Sequence, residues 1–233
     1  MEVSELKSLH KERKEEIQKK LEGFKKLQAL GDKDIFAEFC FCLLTPQSKA
    51  FNCWNAVLEL KETGLLYDSH SKKIAKSTLS LEKKGYSTQR NKNVEREIAK
   101  ILRKKVRFHN NKAKYIVKNR QLFLDKNLKD FILNHENNKE LREWLVENIH
   151  GYGYKEASHF LRNIGFRDLA ILDRHILKNL VALGVIPEIP KSLTKKKYFE
   201  IESKFKKFSE KVGIPMDELD LLFWSVQAGE VFK

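Results

Sequence analysis

Residues 141–165 read LREWLVENIHGYGYKEASHFLRNIG. Leu141, Trp144, Leu145 and Ile149 fall on one face of a first helix, predicted over 139–149 and ending near His150. Ala157, Phe160, Leu161 and Ile164 fall on one face of a second, starting near Tyr154. Gly165 ends it as the residue just past the last turn. Only Gly151-Tyr152-Gly153 separates the two, so 139–165 is expected to be a helix-hairpin-helix. The glycines are expected to permit positive φ and to let a phosphate approach the backbone. Amides at the start of the second helix then form an anion site, which grips DNA without reading its sequence. A plain helical hairpin with a glycine turn fits G-x-G about as well. Lys155 tips the balance, because the dipole opposes a cation in the first turn of a helix. The dipole and neighbouring positive charge favour the free amine, which is a nucleophile. Eighteen residues on, in LAILDRHILKNL, Asp173 stands at an N-cap position. Capping alone is the ordinary role of such an aspartate. A lysine entering one helix and an aspartate capping the next can also face one cleft.

The rest of the chain is read outward from this hairpin. Apolar spacing is helical almost throughout and no strand is convincing, so the fold class is all-α. Ten Gly and four Pro among 233 residues are too few for a turn-rich β-sandwich. Leu6, Leu9, Ile17, Leu21 and Leu27 give a charged N-terminal helix one narrow buried stripe. DIFAEFCFCLL at 34–44 is apolar nearly all round, as in a central core helix, and stops at Thr45-Pro46. Helices are also predicted at Ala50–Leu60, Val94–Leu102, Lys112–Leu124, from Tyr198 to Val212, and from about Pro215 to Gly229. Residues 61–92 read as short helices and loops. Two lobes are expected. Residues 34–168 form one, a helical bundle ending in the hairpin, and 1–33 with 169–233 form the other.

Lys+Arg outnumber Asp+Glu by 46 to 32, a net charge of +14, which points to a polyanion and to nucleic acid first. No apolar run approaches the ~20 residues needed to span a bilayer. No secretory signal is visible, and Cys40, Cys42 and Cys53 are odd in number, so an intracellular protein (cytoplasm or nucleoid) with reduced thiols is expected. The histidines and cysteines show no zinc spacing, and no Walker A or dinucleotide fingerprint is present.

HGYGYKEASHFLRNIG-FRDLAILDRHI resembles the signature of the helix-hairpin-helix DNA glycosylases with a Gly/Pro-rich loop and a distal aspartate. Lys155 matches that family's nucleophile and Asp173 its aspartate. Leu43-Leu44-Thr45-Pro46-Gln47-Ser48 is similar to the segment whose glutamine probes the duplex gap, and Gln47 matches that position. RFHNNKAKYI at 107–116 and the C-terminal DELDLLFWSVQAGEVFK look like the archaeal-type (type 2) 8-oxoguanine DNA glycosylase/AP lyases. The resemblance covers roughly residue 34 to the end. Two features depart from the wider family. No cysteine follows Cys53, so the four-cysteine iron–sulfur cluster of some endonuclease III-type relatives is excluded, and 166–172 holds no Gly or Pro.

The resemblance implies a two-lobed glycosylase that acts as a monomer on double-stranded DNA carrying 8-oxoguanine or abasic sites. It implies no metal and no cofactor. The flipped base is released when Lys155 attacks the sugar, with Asp173 stabilising the sugar cation. Gly151, Gly153, Lys112, Lys114 and Gln47 are expected to hold DNA. Lys233, which offers an ammonium and a carboxylate, is expected to read N7–H of the base, and Trp224, or a phenylalanine such as Phe223 or Phe232, to stack on it. Two alternatives stay open: an endonuclease III-like glycosylase for oxidised pyrimidines, and a non-catalytic hairpin protein that only binds DNA.

Overall fold

The computed structural model describes residues 2–67, 84–124, 128–135 and 137–228. Among them are eleven helices and no strand. In chain order they are α1 Val3–Leu27, α2 Asp32–Leu44, α3 Ala50–Glu62, α4 Lys84–Leu102, α5 His109–Leu124, α6 Leu128–Leu133, α7 Asn138–Asn148, α8 Tyr154–Asn163, α9 Arg174–Ala182, α10 Lys195–Val212 and α11 Met216–Ala228. The all-α expectation holds. Several boundaries differ from it: α10 starts at Lys195, ahead of the predicted Tyr198, and α6 is not among the predicted helices. Within 61–92, residues 84–92 belong to one continuous long helix, α4, and 68–83 lie outside the described residues. Helix α5 starts at His109, three residues ahead of the predicted Lys112.

The chain divides into two compact units. One contains Met1–Leu30, His135–Glu147 and Tyr152–Lys233, and the other Gly31–Asn134 and Asn148–Gly151. Both chain ends thus fall in the first unit. So do the hairpin helices α7 and α8, which the sequence reading assigns to the 34–168 lobe. The cause is a set of long-range ties. Arg142 of α7 is fully buried and forks onto Glu202 of α10, with Nη1 at 2.6 Å and Nη2 at 2.8 Å from the two carboxylate oxygens. Its Nη1 also donates to Ser158 of α8 at 3.1 Å, and Arg162 of α8 lies over the Phe24 ring of α1 at 4.8 Å. Such a buried pair binds the hairpin helices to the terminal segments.

The core of this unit gathers Ile17, Leu21 and Phe24 of α1, Ile176 and Leu180 of α9, Phe205 of α10, and Leu219, Leu222 and Phe223 of α11. In the other unit α2 is buried from Ile35 to Leu44, the all-round burial its apolar sequence predicts. Cys40, Cys42 and Cys53 are buried there, and none of them forms a disulfide.

Candidate functional site

Lys155 stands in the first turn of α8 with its side chain 21% exposed and Nζ 3.7 Å from the Glu156 carboxylate. Asp173 caps α9. Its Oδ1 accepts from the amides of His175 at 2.7 Å and Ile176 at 2.8 Å, while its backbone is extended. This leaves Asp173 fixed in place and half-buried. Helix α11 supplies what both residues share. Asp220 is buried there and experiences the charges of both Asp173 and Lys155. Burial pushes its carboxyl up to about 7; Asp173 and Asp217 add to the rise, and Arg162 and Lys155 oppose it. Arg162 Nη1 lies 3.2 Å from Asp220 Oδ2. Asp217, one turn earlier, is also buried and raised, and it accepts the Asp168 amide at 3.2 Å.

Trp224, one turn beyond Asp220, is half-buried and meets the His175 ring edge-on, with centroids 6.3 Å apart. The candidate stacking residue therefore sits beside the capped start of α9. Phe223 instead is fully buried and stacks on Phe205. Lys233 and the tail 229–233 lie outside the described residues.

The two glycines of the turn have different roles. Gly151 has φ +88°, and a β-carbon there would come within 2.6 Å of the Tyr115 ring and 2.9 Å of Leu43. Gly153 has φ −112°, so it is not there for a left-handed conformation. Its amide donates to Glu156 at 3.1 Å, which occupies one donor of the predicted phosphate site. The entry to the turn is held by Asn119 of α5, which donates to the His150 carbonyl at 2.9 Å and accepts the His150 amide at 3.0 Å.

Gln47 is exposed and left-handed, with φ +54°, an uncommon state for a residue with a side chain. Lys112 holds its loop. Only 4% exposed, it donates to the carbonyls of Leu44 at 2.7 Å and Pro46 at 2.8 Å and to Ser48 Oγ at 3.1 Å. This corrects the expectation that Lys112 is part of the phosphate-holding surface, because its charge faces inward on backbone carbonyls. Lys114, two residues on and so on another face of α5, is exposed as predicted. A surface cavity of about 410 Å³ beside Gln47 is lined by Lys49, Arg103, Lys104 and Arg107. Phe108 was missed by the sequence reading. It is left-handed at φ +56° and 54% exposed, with the Arg107 guanidinium 5.9 Å from its ring centre. The signal was a lone aromatic in a basic loop just before an Asn-Asn helix start.

These features define a helix-hairpin-helix protein with a lysine–aspartate pair at two helix starts. The chain belongs to the family described as Ogg-HhH, 8-oxoguanine DNA glycosylase, which matches residues 17–96 and 80–214. A Fusobacterium nucleatum protein named 8-oxoguanine DNA glycosylase/AP lyase is 43% identical over 99% of this chain and 97% of its own. The protein of that name from Methanocaldococcus jannaschii is 37% identical over 99% of this chain and 97% of its own. The fold matches, at TM-score 0.80 and 36% identity, a crystal structure of the Methanocaldococcus jannaschii glycosylase/lyase in complex with 15mer DNA containing 8-oxoguanine, over 99% of both chains. It also matches, at TM-score 0.80 and 33% identity, the 8-oxoguanine DNA glycosylase of Thermotoga maritima, over 99% of this chain and 98% of that one.

Proposed function

We propose that the chain excises 8-oxoguanine from double-stranded DNA and nicks the resulting abasic site. It does so as a monomer inside the cell, with no metal or organic cofactor taking part. The observation that carries this reading is the Lys155–Asp173 pair, held at two helix starts within a chain of the glycosylase family. The base is first flipped out of the stack. The free amine of Lys155 attacks C1′ of the deoxyribose, and the bond from C1′ to N9 breaks with its electron pair leaving on the base. Asp173 stabilises the positive charge that grows on the sugar, and its fixed cap geometry keeps it there without reorganisation. Ring opening yields a Schiff base between Lys155 and C1′. Loss of a C2′ proton then expels the 3′ phosphate, so one lysine serves both steps.

Lys114 and the basic residues around Gln47 hold phosphates, and Gln47 enters the gap left by the flipped base. Trp224 stacks on the base and Lys233 reads its N7–H. Among the described residues no helix is long and apolar enough to cross a membrane. The test is base release from duplexes carrying 8-oxoguanine or an oxidised pyrimidine, with borohydride present. Preferential release from 8-oxoguanine with a trapped covalent adduct supports the reading. Preferential release of the pyrimidine marks an endonuclease III-like enzyme, and binding without an adduct marks a non-catalytic protein.

A further inference from the structure

Tyr154, the residue before Lys155, has no part in the chemistry described so far, yet side chains of two other helices converge on it. It opens α8, and the N-cap ahead of it is Gly153, which has no side chain to cap the helix. Lys155 adds a cation to a first turn whose dipole opposes it. The start of α8 therefore needs an anchor from elsewhere, and Tyr154 supplies it. Its hydroxyl donates to the Glu143 carboxylate of α7, 2.9 and 3.1 Å from the two oxygens. Lys195, at the start of α10, donates to the same carboxylate at 2.7 Å and keeps it in place. The Tyr154 ring packs on Phe199 and Tyr198 of α10, with centroids 5.1 and 5.4 Å away. Tyr198 is itself buried, and its hydroxyl donates to the Ala170 carbonyl at 2.5 Å and accepts the Leu172 amide at 3.4 Å. Leu172 directly precedes Asp173. A continuous run of contacts thus leads from the residue before Lys155 to the residue before Asp173, and every member belongs to one compact unit.

We propose that Tyr154 is a positioning residue for Lys155, a role that rests on the glycosylase/lyase reading above. Held by Glu143 and seated on Tyr198, it fixes the start of α8 relative to the start of α9, and so sets the nucleophile against the aspartate. It acts through Lys155 rather than on the sugar, because its hydroxyl is occupied by Glu143. A nucleophile held in line avoids most of the entropy of finding its target, and a misplacement of about 1 Å costs roughly 100-fold in rate. Loosening one tether shifts the lysine by less than that. Both base release and abasic-site nicking use the same amine, so both should slow together. Binding of the duplex does not depend on where that amine points, so affinity should hold.

The test compares Tyr154→Phe, Glu143→Leu and Glu143→Gln with the wild-type protein in three measurements. These are single-turnover release of 8-oxoguanine, borohydride trapping on a preformed abasic duplex, and affinity for a duplex carrying a tetrahydrofuran abasic analogue, which the lyase step cannot cut. Phenylalanine keeps the ring packing and loses only the hydroxyl. Tyr154→Phe and Glu143→Leu should each slow release and trapping alike, by about tenfold. Affinity for the analogue should stay within about twofold of wild type. Glu143→Gln keeps an oxygen that accepts from the hydroxyl, so it should recover most of the rate that Glu143→Leu loses. Tyr198→Phe breaks the far end of the same link, so its combination with Tyr154→Phe should lose less than the product of the two single losses. Where Tyr154→Phe or Tyr198→Phe does not fold, the two Glu143 variants, on a partly exposed side chain, decide the matter. Wild-type rates in Tyr154→Phe and Glu143→Leu overturn the proposal. So does an affinity that falls as far as the rate, a loss confined to base release, or a Glu143→Gln no faster than Glu143→Leu. A wild-type protein that releases no 8-oxoguanine refutes the functional reading itself, and this inference falls with it.

Discussion

Replacing Arg142 by methionine should unfold more than it locally disturbs. The guanidinium is fully buried, and it makes two short bonds to Glu202 and one to Ser158. Methionine fills much of the space but leaves the Glu202 carboxylate, itself 10% exposed, with the Ala170 amide at 2.8 Å and no cation. Stranding a buried charge in this way costs about 3–5 kcal/mol. The damage spreads to the site, because Ala170 belongs to the segment that delivers Asp173 to its cap. The paired variant Arg142→Met/Glu202→Leu removes the stranded charge. Its remaining cost is the unpaired Ala170 amide and the Arg142 hydrogen bond lost at Ser158, about 1–3 kcal/mol. The paired variant should therefore be more stable than the single one by about 2 kcal/mol. Urea unfolding followed by tryptophan fluorescence reports on it, since Trp144 and Trp224 both belong to the same unit as Arg142. A single variant within 1 kcal/mol of wild type (roughly the worth of an exposed ion pair), or a paired variant less stable than the single one, would refute the reasoning.

Other predictions follow from the site and, for Lys233, from the resemblance of the C-terminal sequence. Lys112→Met should cost about 2 kcal/mol of stability and release the Gln47 loop; an unchanged urea midpoint would mean that the inward ammonium holds nothing. Asp173→Asn should keep the fold, since Asn also caps, yet lose at least about 100-fold in single-turnover base release. A near-wild-type rate would reduce Asp173 to a cap. Deleting Lys233 should lower discrimination between 8-oxoguanine and guanine more than it lowers nicking of a preformed abasic site. Equal loss of both would point to a folding defect.

How much of this was legible beforehand depends on what a sequence encodes locally. The hairpin helices, the N-cap at Asp173 and the lysine in the first turn of α8 are local matters of period and capping, and they stand where the sequence puts them. The depth of a charge is not local. Lys112 reads as one more basic residue, although it shares a helix face with the buried Ile116 and Asn119, four and seven residues on. Asp220 is similar: an acid among Leu219, Leu221 and Leu222 whose partner, Arg162, is far away in the chain. The two glycines of the turn look alike in sequence, and only the packing of Tyr115 against Gly151 tells them apart. The grouping of the hairpin helices with the chain ends likewise depends on Arg142 reaching Glu202, sixty residues away.

The central claim is that Lys155 is the nucleophile of both steps, and one measurement addresses it directly. An 8-oxoguanine duplex is incubated with the protein and borohydride, and the adduct is digested and its attachment point read by mass spectrometry. The account predicts a single modified residue, Lys155, and a Lys155→Gln variant that still binds the duplex but yields neither free base nor adduct. An adduct on another amine, or base release by Lys155→Gln at the wild-type rate, would contradict it.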